Sequence, residues 1–238
     1  MKKYIYVTGG KGGIGKSKQA LATVDYYAEQ GESVLLLDAD PTNGDSSASY
    51  KDGKQLGVLA ERVRVRSEDA SGQIDASGLM DTLNKAHESK AGVTIVDAPA
   101  GDSTLLRDAG SIIVAACKEI GTQSIIVWMV NSNDRTAINA LATAWNSIKD
   151  ADTILIVKNH KDGSDFQCFM ESKAMADILS SKNIRMIDMP KVAARLVKLI
   201  REDRKTFKEL ATTTSIGDKV EAIRMRKVFS DGFKSAGL

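Results

Sequence analysis

Gly9-Gly10-Lys11-Gly12-Gly13-Ile14-Gly15-Lys16-Ser17 decides how the rest of the chain is read. An apolar, aromatic-rich run, Tyr4-Ile5-Tyr6-Val7-Thr8, precedes it, and Ala20, Leu21, Val24, Tyr27 and Ala28 follow at helical spacing. Strand, glycine loop and helix, in that order, form the context in which G-x-x-x-x-G-K-[ST], here Gly10 to Ser17, cradles phosphate. Glycines let the backbone curl so that successive amide N–H groups point inward at phosphate oxygens. A helix beginning near Lys16 adds the positive end of its dipole. The binding set expected from this motif is Gly10, Lys11, Gly12, Gly13, Ile14, Gly15, Lys16, Ser17 and Lys18. Lys16 would reach the β- and γ-phosphates of a nucleotide, and the Ser17 hydroxyl would ligate Mg2+.

At 238 residues the chain fits one sizeable α/β domain, residues 1–238, with a basic helical region from 190 to 238 packed on it. A 42% hydrophobic and 27% charged composition is ordinary for a soluble globular protein. The net charge of +2 carries no global argument for nucleic acid, so any basic signal must be local. Cys117 and Cys168 stand far apart, outside any disulfide, zinc or iron–sulfur pattern, and read as small buried thiols in a reducing compartment. No apolar run approaches the ~18 residues of a membrane span, and a strand begins within a few residues of Met1. The expected location is the cytoplasm.

After the first helix, Ser33 to Leu37 reads as a buried parallel strand that ends in Asp38-Ala39-Asp40-Pro41-Thr42-Asn43-Gly44. Two carboxylates at the C-terminal end of a strand fall where open α/β sheets bind ligands. Residues 45–61 are polar and weakly periodic, with Gly53 and Gly57. Arg62-Val63-Arg64-Val65-Arg66 alternates like a basic edge strand, 67–75 reads as loop, and Ser77 to His87 as a helix. A second apolar strand, Val93 to Val96, ends in Asp97-Ala98-Pro99-Ala100-Gly101. The periodicity then predicts a helix over 103–120, a strand over 124–130 and a helix N-capped within Asn131 to Asp134. Trp128 and Trp145 read as core. A strand over 153–157 runs into Lys158-Asn159-His160-Lys161, followed by a helix from Phe166 to Ser181 and a strand from Ile184 to Ile187. His87 and His160 read as solvated. From Lys191 to Leu238 there are twelve Lys and Arg against six Asp and Glu. Arg195, Lys198, Arg201, Arg204, Lys205 and Lys208 recur at helical spacing and could give salt-sensitive DNA binding. A last amphipathic helix with Val220, Ile223, Val228, Phe229 and Phe233 could instead meet a membrane surface. A solvated face of helices packed on the sheet accounts for both stretches equally well.

Lys11 inside the loop gives K-G-G-x-G-K-[ST], and with the D-x-D-P of 38–41 and the D-x-P-x-G of 97–101 it resembles the deviant Walker A ATPases of the ParA/MinD family. The resemblance is strongest over about the first hundred residues and fainter from there to about residue 205. It implies a P-loop NTPase fold: a doubly wound, mostly parallel sheet with helices on both faces and MgATP at the strands' C-terminal edge. It implies that Lys11 crosses an ATP-sandwiched homodimer to the partner's nucleotide. Lys16 and Asp40 join Lys11 as catalytic residues, with Asp40 orienting the attacking water. Ser17, Asp38 and Asp97 serve the metal, and Asn159 hydrogen-bonds adenine. Where the family often has Gln-Gly-Asn after the switch proline, this chain has Thr42-Asn43-Gly44, and Ser17-Lys18 stands where two threonines are common. The activity implied is slow ATP hydrolysis to ADP and phosphate, coupled to dimerisation, in plasmid partition, positioning or conjugation. The short chain is similar to partition and conjugation-accessory members, StbB-like proteins among them. The implied surroundings are non-specific DNA or the nucleoid, an adaptor protein and, with less support, a membrane. Two alternatives are a MinD-like membrane-associated positioning ATPase and a carboxylate-activating biosynthetic enzyme resembling dethiobiotin synthetase.

Overall fold

Every side chain from Tyr4 to Val7 is fully buried, which requires a strand covered on both faces. A computed structural model, describing residues 1–41, 44–51, 55–68, 74–213 and 215–238, places that strand at the centre of a sheet. In chain order the elements are β1 (Lys3–Gly9), α1 (Lys16–Glu29), β2 (Val34–Asp38), α2 (Asp45–Ser49) and β3 (Val58–Arg62). A small hairpin, β4 (Ser67–Glu68) with β5 (Ile74–Asp75), leads to α3 (Ser77–Glu88) and β6 (Val93–Asp97). There follow α4 (Ser103–Glu119), β7 (Gln123–Asn131), α5 (Arg135–Ile148), β8 (Thr153–Asn159), α6 (Gln167–Met170), α7 (Lys173–Leu179) and β9 (Ile184–Met189). Three helices complete the chain: α8 (Ala194–Arg201), α9 (Phe207–Thr213) and α10 (Ile216–Ser235).

The seven strands of the main sheet lie in the order β3-β2-β6-β1-β7-β8-β9, all parallel. Side chains alternate between two cores. Ile5, Val7, Val127 and Met129 meet α1, α8, α9 and α10 on one face. Tyr4, Tyr6, Ile126 and Trp128 meet α3, α4, α5 and α7 on the other. This is the expected doubly wound architecture. From β1 the chain winds outward to β2 and β3, returns through β6, and continues on the other side through β7, β8 and β9. Parallel strands bring all their C-terminal ends to one edge, and the reversal around β1 opens a crevice there.

Several boundaries differ from the sequence reading. The strand expected over Arg62 to Arg66 lies earlier, at Val58–Arg62, mostly inside the 45–61 stretch read as weakly periodic. It pairs with β2 from Val34↔Val58 to Asp38↔Arg62, and where β2 ends the ladder has no further partner. The 67–75 loop contains the β4–β5 hairpin, and the short α2 begins at Asp45. Thr42, Asn43 and Gly53 lie outside the described residues. The helix over 166–181 is two, because Ser172 is extended (φ −65°, ψ 131°) and caps α7, its carbonyl accepting from the amides of Met175 and Ala176. Cys117 is buried as expected, whereas Cys168 is only partly so. His160, read as solvated, is half-buried, with Nε2 2.7 Å from Asp188 and Nδ1 3.0 Å from Ser164.

The C-terminal basic stripe is also interrupted. Arg204 turns the chain in the left-handed region (φ 53°), and a capping box opens α9. Thr206 Oγ1 accepts from the Glu209 amide at 3.1 Å, and Glu209 Oε2 accepts from the Thr206 amide at 2.7 Å. Much of the charge is paired within the chain: Arg195 with Asp218, Lys198 with Glu202, Arg201 and Arg204 with Asp45, and Arg226 with Asp25. In α10, Phe229 packs on Phe207 of α9 and Phe233 on Tyr26 of α1, so the aromatic part of the face expected to meet a membrane is covered within the fold, whereas Val220 and Ile223 stay exposed. Among the described residues no helix is long and apolar enough to cross a membrane.

Candidate functional site

The loop from Gly9 to Gly15 leaves β1 and turns into α1 through Gly15, whose φ of 102° excludes a side chain in practice. Space is the second constraint there, since a Cβ on Gly15 would lie 2.6 Å from the Asn159 amide nitrogen. That amide donates to the Ile14 carbonyl at 2.7 Å, and its oxygen accepts from the Lys161 amide at 3.0 Å. Asn159, expected at adenine, is thus buried beneath the loop and holds its curvature from the end of β8. Gly10 packs tightly on the other side, where a Cβ would come 3.1 Å from that of Ala140 on α5.

The two lysines of the loop lie in different surroundings. Lys16 is buried at the start of α1, and its ammonium donates to the Lys11 carbonyl at 3.2 Å, across the hollow of the loop. Lys11 has a side chain 48% exposed and makes a 3.0 Å ion pair with Asp134. Asp134 is the N-cap of α5, accepting from the Thr136 amide at 3.1 Å, and is itself buried. Although burial works against it, the Thr136 and Lys11 contacts hold its carboxyl below the ordinary range. The sequence reading placed a cap within 131–134 but gave no hint that it would bind the loop's extra lysine.

The strand ends beside the loop bring carboxylates together. Asp38 and Asp97 are paired neighbours on β2 and β6, and both are buried. Asp38 accepts from the Asp40 amide at 3.0 Å and from the Ser47 amide at 2.8 Å, fixing the start of the following loop and α2. Among the described residues, Asp97 has no hydrogen bond to either oxygen. Burial and then the Asp38 charge push its carboxyl up to about 7, with the Ser17 and Ser46 hydroxyls and Lys16 opposing. An orphaned buried carboxylate beside a serine hydroxyl fits a hard cation, which typically takes only one or two protein oxygens when it also binds phosphate. Among the described residues no three His, Cys, Asp or Glu converge on one point, so a cage made by protein alone is not what the site offers. Just beyond, Asp102 is buried at the cap of α4 and accepts from Thr8 Oγ1 at 2.8 and 2.7 Å, with burial raising it to about 6.

These groups border a cleft of about 270 Å³ lined by the loop glycines, Lys16, Ser17, Lys18 and Leu21. Asp40 and Ala100 stand at one side, and Val197, Ile200 and Arg201 of α8 close the other. Burial, then the charges of Lys161 and Arg201, push the Lys18 ammonium below its ordinary value. Such crowding of cations, with only Asp40 and Asp45 among the lining acids, suits a polyanion. Of the expected residues, Gly12, Gly13, Gly15, Lys16, Ser17, Lys18 and Asp40 line the cleft, Asp38 and Asp97 lie behind it, and Lys11 faces away to Asp134.

Comparison with known proteins agrees with this fold. Protein MobD of Acidithiobacillus ferrooxidans is 28% identical over 229 residues, covering 95% of this chain and 94% of that protein. The septum site-determining protein MinD of Pyrococcus horikoshii, solved with Mg-ADP, superposes with a TM-score of 0.56 at 14% identity, over 100% of this chain and 98% of its own. A structure described as a plasmid partition protein of Borrelia burgdorferi, bound to AMPPNP, gives 0.54 at 11% identity, over 97% and 99%. Residues 5–228 match the family described as the CobQ/CobB/MinD/ParA nucleotide binding domain, and the chain belongs to that family.

Proposed function

We propose that this protein is an ATP-dependent dimerising switch ATPase that serves plasmid partition, positioning or conjugation. The observation that carries the reading is the division of labour between two lysines five residues apart, one buried in the loop and one turned out of it. Lys16 and the loop amides neutralise the triphosphate of ATP. Ser17 and Asp97 would hold Mg2+, with Asp38 behind them, and the ion would supply positive charge to offset that of the phosphates. Asp40, at the edge of the cleft, orients the water that attacks the γ-phosphorus. Lys11 reaches the nucleotide of a second copy, and hydrolysis releases the loops that follow Asp38 and Asp97, loosening the dimer. The plasmid-related role draws on the likeness to MobD and to the partition protein. The internal pairing of the C-terminal arginines leaves DNA as a weaker partner than an adaptor protein. The whole chain works as one unit, since α8 walls the cleft that the N-terminal loop opens.

Sedimentation of Asp40→Ala protein with MgATP, with and without duplex DNA, tests this reading. The variant should bind ATP, hydrolyse it at least about a hundredfold more slowly, and accumulate as a dimer. Full turnover would move the water-positioning role elsewhere, and a persistent monomer would remove the role of Lys11. Asp134 supplies a second check. In Asp134→Asn the helix cap is kept but the ion pair that tethers Lys11 in its own protomer is lost. With Lys11 half-exposed, each pair is worth about 0.5–1 kcal/mol and a symmetric dimer breaks two, so ATP-dependent dimers should form at about five- to thirtyfold lower protein concentration. Weaker dimerisation would assign Asp134 to the dimer contact itself.

A further inference from the structure

Beside the nucleotide cleft lies a second, wider groove of about 810 Å³. Its floor is the segment that carries Arg62, Arg64 and Arg66, its walls are Pro41 on one side and Pro99 with Ala100 on the other. These walls belong to the two loops that follow Asp38 and Asp97, and the groove shares only Asp40 and Ala100 with the nucleotide cleft. The floor is anchored. Val65 is completely buried, and Gly78 of α3 packs so closely beneath that a Cβ there would come 2.0 Å from the Arg64 carbonyl oxygen. Burial alternates along the segment, with Val65 buried and Arg62 and Arg64 exposed. Arg62 Nη2 donates to the carbonyls of Asp40 and Pro41 at 3.0 and 3.2 Å, and Arg66 Nη1 lies 3.5 Å from the Gly101 carbonyl. One basic segment therefore touches the backbone of both loops.

We propose that this groove is an effector site for an acidic peptide segment of a partner protein, coupled to the nucleotide through those carbonyl contacts. Guanidinium groups spaced along an anchored segment match carboxylates spaced along a peptide. Proline, valine and alanine on the walls and floor suit interleaved apolar side chains. Single-stranded nucleic acid is the poorer fit, because among the described residues no aromatic ring lines the groove for bases to stack on. A carboxylate competing for Arg62 weakens its hold on the Asp40–Pro41 backbone, so peptide and nucleotide affinities change together and reciprocally. The coupling rests on the ATP-switch reading; the binding itself does not.

The test is fluorescence anisotropy of a labelled decapeptide of alternating Glu and Leu, titrated with the nucleotide-free full-length protein, with labelled dT20 as the competing class. Wild type should bind the peptide saturably. Arg64→Glu should weaken it at least about tenfold, and Arg64→Lys by less, because the charge remains but the bidentate fork is lost. Arg64 is exposed and makes no ion pair or hydrogen bond to another described residue, so thermal melting of both variants should match wild type and certify their fold. Saturating peptide should shift the affinity for mant-ATP at least about twofold in wild type and leave it unmoved in Arg64→Glu. No saturable binding, equal binding by Arg64→Glu, or binding of dT20 in place of the peptide would overturn the site. Peptide binding without any shift in mant-ATP affinity would overturn the coupling. Loss of ATP binding with the peptide interaction intact would instead count against the switch reading alone.

Discussion

Lys16→Ala protein is expected to show no measurable MgATP binding, a loss of more than about a hundredfold, while keeping its fold. Lys16 is the cation buried inside the loop, and its ammonium now lies against the Lys11 carbonyl at 3.2 Å. A phosphate entering the loop would replace that neutral acceptor with an anionic one. Charge-assisted bonds of this kind are worth about 1.5–3 kcal/mol each, and one ammonium can make two of them, so the combined loss exceeds the 2.7 kcal/mol of a hundredfold change. The fold should not suffer, because the substitution removes a buried charge whose hydrogen bond goes to the Lys11 carbonyl of the same loop. Calorimetric titration with MgATP and thermal melting of the same samples check both halves. Unchanged affinity would move the phosphate site away from this loop, and a collapsed melting transition would make Lys16 a structural residue.

What could be read in the sequence was set by how local the determinants are. The loop, its flanking strand and helix, and the apolar strands that end in Asp38 and Asp97 are each specified within about ten residues, and each lies where the pattern put it. The α/β alternation followed from runs too apolar to be anything but buried strands. Register was harder. Arg62 to Arg66 alternates as a strand does, yet the strand ends at Arg62 because β2, its partner, ends at Asp38. No local signal reports the length of a neighbour. Contacts across the sheet edge were likewise invisible: Asp134 meets Lys11, and Asn159 meets Ile14, only because β7 and β8 lie beside β1 in the fold. The pairing of the C-terminal arginines was invisible for the same reason, since Arg201 and Arg204 face Asp45 from more than a hundred and fifty positions away. The capping box at Thr206 to Glu209 is different, because its signal is local and stands in the sequence as T-x-x-E within the basic periodicity.

Asp97→Asn should make the metal-free protein more stable at about pH 8 and at the same time remove its response to magnesium. Asp97 is buried without a hydrogen bond to either oxygen, and its carboxyl is pushed up to about 7, against about 3.9 in an unfolded chain. Between those values the folded protein holds a proton that the unfolded chain has released. Stability therefore rises as pH falls from 7 towards 4, and the full cost of the charge is felt above pH 7. Three units correspond to roughly 4 kcal/mol at most, and Asp102, raised to about 6, acts in the same direction. Asparagine keeps the shape and drops the charge, so urea denaturation in EDTA should favour the variant by about 2–4 kcal/mol near pH 8 and by far less near pH 5. With MgATP the order should reverse, because only the wild type presents an anionic oxygen to the ion. A variant less stable than wild type near pH 8 would mean that the Ser17 and Ser46 hydroxyls satisfy the carboxylate within the fold. A variant that still responds to magnesium would place the ion on Ser17 and phosphate alone. The combination of gain without metal and loss with it is what separates a carboxylate kept for a cation from one kept for the structure.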